Sequence, residues 1–358
     1  DRGAEYAKAQ MILYIGIVPL KIRFSEGIDV LYSTYGLALS CGDVETALVS
    51  AMNLPMHYYA SSLPLNSMLE TRLKLFEEKS KQYHQPSFTA IFQCCRQLQH
   101  NLVYPSQTPA ALKGSIMDED KVLADLDGNN KSMTLRDFGM FRMMLAVIFD
   151  DEATMEEMML RLEAYPYFDL PVVRMHLRLL YHGLASLMLG RRKSNRDYTR
   201  KGHEMMKEFQ KLARIGSENA QPVYKCFQAV HQHKRRHYEE AIGACSAMNL
   251  THLEALMNEH CGFMYQEAGD ERSAEYYLGR ALWLYHDWGA LAKVDSMKKR
   301  FPFLQKSPRN CKTGRTVMSL FVQQATASLT ESVGATSEDP FQLRSRFTVR
   351  EDSSRKSL

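Results

Sequence analysis

The sequence predicts an all-α protein, an α-α superhelix of stacked helical hairpins with a disordered C-terminal tail. Apolar residues recur at three- and four-residue spacing along most of the chain, and the alternating β-branched runs that form strands are nearly absent. One apolar stripe consists of Val173, Leu177, Leu180, Leu184 and Leu187, and another of Leu253, Met257, Cys261 and Met264. Each stripe would bury one face of a helix against its neighbours. An internal repeat, described below, is the third observation.

Composition and charge argue against nucleic acid as the partner of this chain. A hydrophobic content of 45% and a charged content of 24% are ordinary for a soluble globular protein. Residues 302–358 carry nine Lys/Arg against five Asp/Glu, which leaves 36 of each sign in the other 301 residues. A neutral body argues against a nucleic-acid groove, which needs a concentrated basic stripe. We therefore expect proteins, or adjacent domains of the same polypeptide, as partners.

Cysteine usage and the longest apolar run bear on location. The seven cysteines are scattered and form no CxxC pair, as expected of free thiols in a reducing compartment, so we expect a cytoplasmic protein. The run from Met11 to Leu20 spans ten residues and contains Pro19. A membrane-spanning helix needs about 20 residues, so the run predicts a buried helix and no membrane insertion. The chain begins at Asp1, already inside a helical pattern and without a signal peptide, so we expect a segment of a longer protein.

Breaks in the pattern divide the chain into four parts. An N-terminal helical array is predicted over 1–113, a polar loop over 114–134, and a C-terminal helical-repeat array with a capping helix over 135–301. Residues 302–358 contain fifteen Ser/Thr and predict a flexible basic tail or linker. Prolines such as Pro55 and Pro86 are expected between helices or at their starts, where proline is tolerated.

An internal repeat decides the architecture. One turn-plus-helix signature occurs twice, at Gly42-Asp43-x3-Ala47 and at Gly269-Asp270-x3-Ala274. The second copy is extended by Gly262 and Tyr265 on the helix before it and by Ala281 on the helix after it; Ala229 and Ala241 fill equivalent positions one unit earlier. Ala241 precedes Ala274 by 33 residues, close to the 34-residue period of a tetratricopeptide (TPR) repeat. Small residues at these positions let antiparallel helices approach closely.

The tripeptide Asp137-Phe138-Gly139 matches the magnesium-binding motif of protein kinases. In a kinase this aspartate acts only beside an upstream His-Arg-Asp loop, and the sequence contains none. The residues that follow form a long apolar run rather than an activation segment. We interpret the tripeptide as a helix start, capped by Thr134 or by Asp137.

Other motifs lack the partners that their chemistry requires. Residues 125–130 resemble a calcium loop, but the glycine is fourth instead of sixth, and Arg136 stands where the twelfth-position glutamate should be. The histidine pairs His231/His233 and His252/His260 come without an HExxH motif or a pair of cysteines. Neither a phosphate loop nor a GxSxG motif is present. We expect no catalytic residue, no cofactor and no metal in this segment, which we therefore take not to be an enzyme.

The most specific stretch runs from Tyr276 to Val294, with Trp288-Gly289-Ala290 at its centre, and closes at Arg300-Phe301-Pro302. It resembles the end of the TPR-like helical array in multidomain signalling proteins, where such an array is joined to a predicted STAND-type ATPase. In that family a serine/threonine kinase-like domain often precedes the ATPase, and sensor histidine-kinase domains often follow the array. The stretch 35–43 is similar to an early repeat of that array. A tryptophan common in the family near position 213 is absent here.

The pattern around Trp288 also has a packing interpretation. Trp283 and Trp288 would wedge between the last repeat and a closing helix over 290–300, with Val294 and Met297 inward. Terminal repeats need such a helix to shield their open end.

Two functional hypotheses follow from the sequence. The first is a non-catalytic helical-repeat module that presents a groove to a protein or a neighbouring domain within a larger signalling ATPase or kinase. The alternative is part of an enzyme, an ATPase or a histidine or serine/threonine kinase, that contributes directly to nucleotide-dependent signalling.

Overall fold

A computed structural model describes residues 2–126, 128–163 and 171–305, without the side chains of residues 67–68 and 129–133. Those residues contain fifteen α-helices and no β-strand, which confirms the predicted all-α class. The described residues belong to one compact unit. Within them, no helix is both long enough and apolar enough to cross a bilayer.

Most helices follow one another with short connections, and the longest described connection, residues 104–118, separates α5 from α6. They are α1 (Arg2–Gly16), α2 (Gly27–Ser40), α3 (Val44–Ala60), α4 (Ser67–Gln82), α5 (Pro86–Val103), α6 (Glu119–Ala124), α7 (Gly128–Phe149), α8 (Glu152–Glu163), α9 (Val172–Arg192), α10 (Arg196–Arg214), α11 (Ala220–Gln232), α12 (Arg235–Ala247), α13 (Thr251–Glu267), α14 (Glu271–Trp288) and α15 (Leu291–Arg300). Short 3-10 helices span Val18–Leu20, Phe24–Glu26 and Pro302–Gln305.

Two groups of helices make up the compact unit. Helices α9/α10, α11/α12 and α13/α14 form three successive hairpins, each packed on the next, and α15 covers the last of them. We call α9–α15 the repeat array. Helices α1–α8, which we call the N-terminal layer, pack against it mainly through α3, α7 and α8 on α9 and α5 on α15. Helix α7 spans the predicted division at 114–134, because it packs on both α5 and α9.

The two copies of the repeat signature have the same local structure. Gly42 and Gly269 adopt left-handed φ values of 78° and 75° in the turns before α3 and α14. The Asp43 carboxylate accepts a hydrogen bond from the Thr46 amide at 3.0 Å, and the Asp270 carboxylate accepts one from the Ser273 amide at 3.0 Å. Each helix therefore begins with a side-chain N-cap, which satisfies an amide that has no partner inside the helix.

Removal of either N-cap is expected to lower the urea concentration at the midpoint of unfolding, because one amide at the helix start loses its hydrogen-bond partner. The measurement is urea unfolding of Asp270→Ala followed by circular dichroism at 222 nm. Asp270→Asn is the matched control, because an asparagine oxygen can accept the same hydrogen bond. An asparagine variant as unstable as the alanine variant would show that this bond does not stabilise α14.

The segment predicted as a polar loop, 114–134, is largely helical. It contains α6 and the first turns of α7, so Thr134 and Asp137 lie inside a helix instead of capping one. The prediction failed because Glu119 is buried as an ion-pair partner, with Arg142 and Arg161 each 3.2 Å from its Oε1 atom. Helices are recognised in a sequence by regularly spaced apolar residues, and a helix that is buried through an ion pair such as this one does not show that spacing.

Two further boundaries differ from prediction. Pro86 begins α5 as expected, but Pro55 lies inside α3, where its neighbours Leu54 and Met56 are buried. Burial outweighs the loss of one helical hydrogen bond there. Of the predicted tail over 302–358, residues 302–305 form a 3-10 helix, and the remainder lies outside the described residues.

Candidate functional site

The candidate site is the seam between the N-terminal layer and the repeat array. In the array, α9 is buried on every side: of residues 173–190, only Met175 is not fully buried. Helix α13 is buried from His252 to Phe263 without a break. An amphipathic surface helix buries one stripe, so burial all round requires neighbours on both sides. The hairpin partners supply one side. The N-terminal layer covers the other side of α9, and the segment after α3 reaches α13 at His252.

The turn at the end of α14 holds the segment that follows α3. Trp288 is 1% exposed, and its indole Nε1–H donates a hydrogen bond to the Leu63 carbonyl at 3.1 Å. In return, the Leu65 amide donates to the Trp288 carbonyl at 2.7 Å. Gly289 has φ +93°, and a Cβ placed on it would lie 2.7 Å from the Leu65 carbonyl oxygen. The Trp288-Gly289 turn is therefore shaped to receive residues 63–65.

A buried histidine makes a second contact with that segment. His252 of α13 stacks on Trp288 with ring centroids 5.1 Å apart, and its Nδ1 atom is in hydrogen-bond contact with the Ser62 hydroxyl. The His252 amide also donates to that hydroxyl at 3.3 Å. Burial, and secondarily the neighbouring His176, lower the pKa of His252 to about 3, so the ring is neutral at pH 7. Both side chains are buried, which closes this serine–histidine pair to any substrate.

The kinase-like tripeptide also contributes to the seam. The Asp137 carboxylate of α7 forms an ion pair with the guanidinium of Arg174 of α9, and both side chains are only 2% exposed. Another guanidinium nitrogen of Arg174 lies 3.6 Å from the Met52 sulfur atom of α3. The residue that holds magnesium in a kinase thus links two packed helices here.

The other end of the seam is held by the loop between α10 and α11. The side-chain Nδ2 of Asn219 donates to the carbonyl oxygens of Pro19 and Ile22 at 3.0 and 2.7 Å, and its Oδ1 accepts from the backbone amide of Phe24 at 3.2 Å. Arg23 pairs with Glu218 at 2.9 Å. One buried asparagine therefore satisfies three backbone groups of the N-terminal layer.

A buried ionic cluster fastens α15 to α13 and α14 within the array. Lys293 Nζ lies 2.6 Å from Glu259 Oε1, and the Tyr285 hydroxyl donates to Glu259 Oε2 at 2.9 Å. All three side chains are almost fully buried. Burial, more than the adjacent Glu259 carboxylate, raises the pKa of Tyr285 well above its usual value. The cluster positions the closing helix, on which Val294 and Met297 are buried as predicted.

The structure places the remaining repeat positions in helix contacts. Ala47, Ala229, Ala241, Ala274 and Ala281 are all buried. A Cβ on Gly262 would lie 2.6 Å from the Leu278 side chain, so α13 and α14 approach closely there. Tyr265 stacks on Tyr277 with ring centroids 5.5 Å apart. The predicted wedge of two tryptophans is half correct, since Trp283 is only partly buried.

The candidate metal residues do not converge. Within the described ranges, no three His, Cys, Asp or Glu side chains are placed to hold a metal ion. His233 contacts Glu267 and the Tyr238 hydroxyl, each at 3.0 Å. His231 packs edge-to-face with His203, with ring centroids 4.1 Å apart. Asp127 of the calcium-like stretch lies outside the described residues.

One open groove on the outside of the array has a basic lining. It follows α10, has a volume of about 510 Å³ and is lined by Arg196, Thr199, Arg200, His203, Glu204 and Lys207. Arg200 is shared between Asp197 and Glu204, at 3.1 and 3.6 Å. Arg196 and Lys207 form no ion pair with any described residue. The groove therefore has surplus positive charge, which the sequence alone did not reveal because Asp and Glu alternate with the cations along α10.

No family model matches the chain, and no curated protein is similar to it. The resemblance to arrays of STAND-type ATPases therefore remains an expectation from the sequence.

Proposed function

We propose that the chain is a non-catalytic, TPR-like interaction and regulatory module, a segment of a larger signalling ATPase or kinase. One observation carries the proposal: the side chains best suited to chemistry are engaged in buried contacts that hold helices together. Asp137 pairs with Arg174, His252 contacts Ser62, and Glu259 pairs with Lys293. A buried, paired group neither reaches a substrate nor exchanges a proton readily.

The groove offered to a partner is proposed to be the one along α10. Helical repeats often hold a partner on their inner face, but here the N-terminal layer covers α9. The α10 groove is open, and Arg196 and Lys207 give it a charge complementary to an acidic segment. Such a segment could belong to another protein or to a neighbouring domain of the same polypeptide.

Two titrations on the chain test the module against an enzyme part. A fluorescent hexaglutamate peptide is expected to bind, with an affinity that falls as salt rises, and a fluorescent ATP analogue with magnesium is expected to give no saturable signal. The double variant Arg196→Glu/Lys207→Glu should weaken peptide binding at least about tenfold. The matched control, Arg235→Glu/Arg236→Glu on exposed positions of α12, should leave it unchanged.

The two titrations test different parts of the proposal. Saturable, magnesium-dependent ATP binding would reject the non-catalytic module in favour of the alternative, a part of an enzyme. If the groove variant and the control bound the peptide equally well, the α10 groove would not be the surface that binds it.

A further inference from the structure

A column of aromatic rings crosses the seam. His57 of α3 meets Phe24 at a centroid distance of 5.7 Å, and Phe24 meets His176 of α9 at 4.8 Å, both edge-to-face. His176 then contacts Phe209 of α10 at 5.0 Å, and Phe209 contacts Phe227 of α11 at 5.4 Å. His57 and Phe24 belong to the N-terminal layer and the other three rings to the repeat array, so the column joins the two groups of helices.

Among the described residues, no charged group is recorded as acting on either imidazole in the column. Nδ1 of His57 lies 2.9 Å from the Asn53 carbonyl oxygen, which can accept a hydrogen bond only from a protonated Nδ1. Its Nε2 atom is buried, and the backbone of Tyr14 of α1 also interacts with the ring. Gly27 of α2 lies against the same ring. No carboxylate is among these neighbours.

His176 is enclosed in the same way. Phe24 and Phe209 pack on its ring. His176 in turn contributes to lowering the pKa of His252 of α13, which contacts Ser62 of the N-terminal layer. A proton on His176 would therefore face a second imidazole instead of an acid. His57, His176 and His252 thus form a set of buried, neutral groups placed along one interface.

We propose that this histidine set is an acid-sensitive latch, in which protonation of His57, His176 and His252 separates the N-terminal layer from the repeat array. A charged imidazole cannot stay in an apolar contact without a partner, and opening the seam gives it water. The separated array exposes the side of α9 that faces the N-terminal layer, and His252 of α13 loses its contact with Ser62. The latch is independent of the proposed α10 groove.

The direction with pH follows from the burial of the rings. Burial lowers the pKa of His57 to about 4 and those of His176 and His252 to about 3, below the ordinary value of 6.5 that each ring regains in the open state. The seam is therefore fully stabilised above pH 6.5 and loses stability as pH falls from 6.5 toward 4. Each histidine shifts the opening equilibrium by up to about tenfold per pH unit in that window.

Hydrogen exchange of the chain at pH 7.0 and 5.0, corrected for the intrinsic rate, tests the latch. The amides of Phe24 and Leu65 are bonded across the seam, and those inside α14 are not. Protection of the seam amides is expected to fall at least tenfold more than protection inside α14. Unchanged seam protection at pH 5.0, or simultaneous loss in both places, would overturn the proposal.

A variant isolates the histidines from other acid effects. His176→Phe keeps a ring in the column but cannot take a proton, so its seam should open at a lower pH than that of the wild type. His286→Phe is the control, because His286 is exposed and its replacement should leave the profile unchanged. Identical profiles for His176→Phe and the wild type would contradict the latch. Should His176→Phe fail to fold, an NMR titration of the wild-type imidazoles decides, since ordinary pKa values in the closed state would exclude it.

Discussion

Replacement of Arg174 with alanine is expected to lower the free energy of unfolding by about 3–5 kcal/mol. Arg174 is 1% exposed, and its removal leaves the Asp137 carboxylate buried without a partner. The cost arises from that uncompensated charge more than from the lost attraction. Urea unfolding at pH 7 measures the effect.

Two variants separate this cause from simple truncation. The double variant Arg174→Met/Asp137→Leu fills the same space without charge and is expected to be far milder, because apolar replacement of a buried pair is often neutral. Arg235→Ala removes an arginine from an exposed, solvent-screened pair with Glu239 and should leave the unfolding midpoint close to that of the wild type. If Arg174→Ala were no worse than Arg235→Ala, the Asp137–Arg174 pair would not hold α7 to α9.

Replacement of Gly289 with alanine is the second large effect, expected at about 3–5 kcal/mol. The left-handed φ of +93° disfavours any Cβ, and this Cβ would also meet the Leu65 carbonyl oxygen at 2.7 Å. Relief of that clash requires the Trp288-Gly289 turn and residues 63–65 to move apart. Thermal or urea unfolding measures the loss.

Gly269 is the matched control for Gly289. It has a similar φ of +75°, but nothing lies within 4 Å of the position that an added methyl group would take. Gly269→Ala should therefore show only the conformational cost, about 1–2 kcal/mol. Equal losses for the two variants would mean that the contact with Leu65 is not tight in solution.

Local patterns predicted the repeat array well, and distant contacts limited the rest. The Gly-Asp-x3-Ala signature specifies a turn, an N-cap and a buried alanine within six residues, so it could be recognised at 42–47 and 269–274. The stripe on α9 was also recognised. The burial of the opposite side of α9 was not recognised. The helices of the N-terminal layer that cover it are distant in the sequence, and no repeat pattern links them to α9.

The candidate site shows the same limit. Trp288 and Gly289 were recognised as packing residues, but their contacts with Leu63 and Leu65 join positions more than 220 residues apart. Asp137 was predicted at a helix start because an aspartate is common there. The sequence did not show that Arg174, on a different helix, is the ion-pair partner that allows Asp137 to be buried. Trp283 and Trp288 are the same residue type on the same helix, so the sequence does not tell them apart. Trp288 is buried and Trp283 only partly buried because the segment after α3 packs on Trp288.

The bond from the Trp288 indole to the Leu63 carbonyl has a consequence for biosynthesis. The two residues are 225 positions apart. At a ribosomal rate of about 5–20 residues per second, the segment after α3 leaves the ribosome roughly 10–45 s before its receptor turn exists. During that interval residues 63–65 and the side of α5 that packs on α15 have no native cover. The nascent chain is therefore expected to depend on chaperones that shield this surface until translation passes α15.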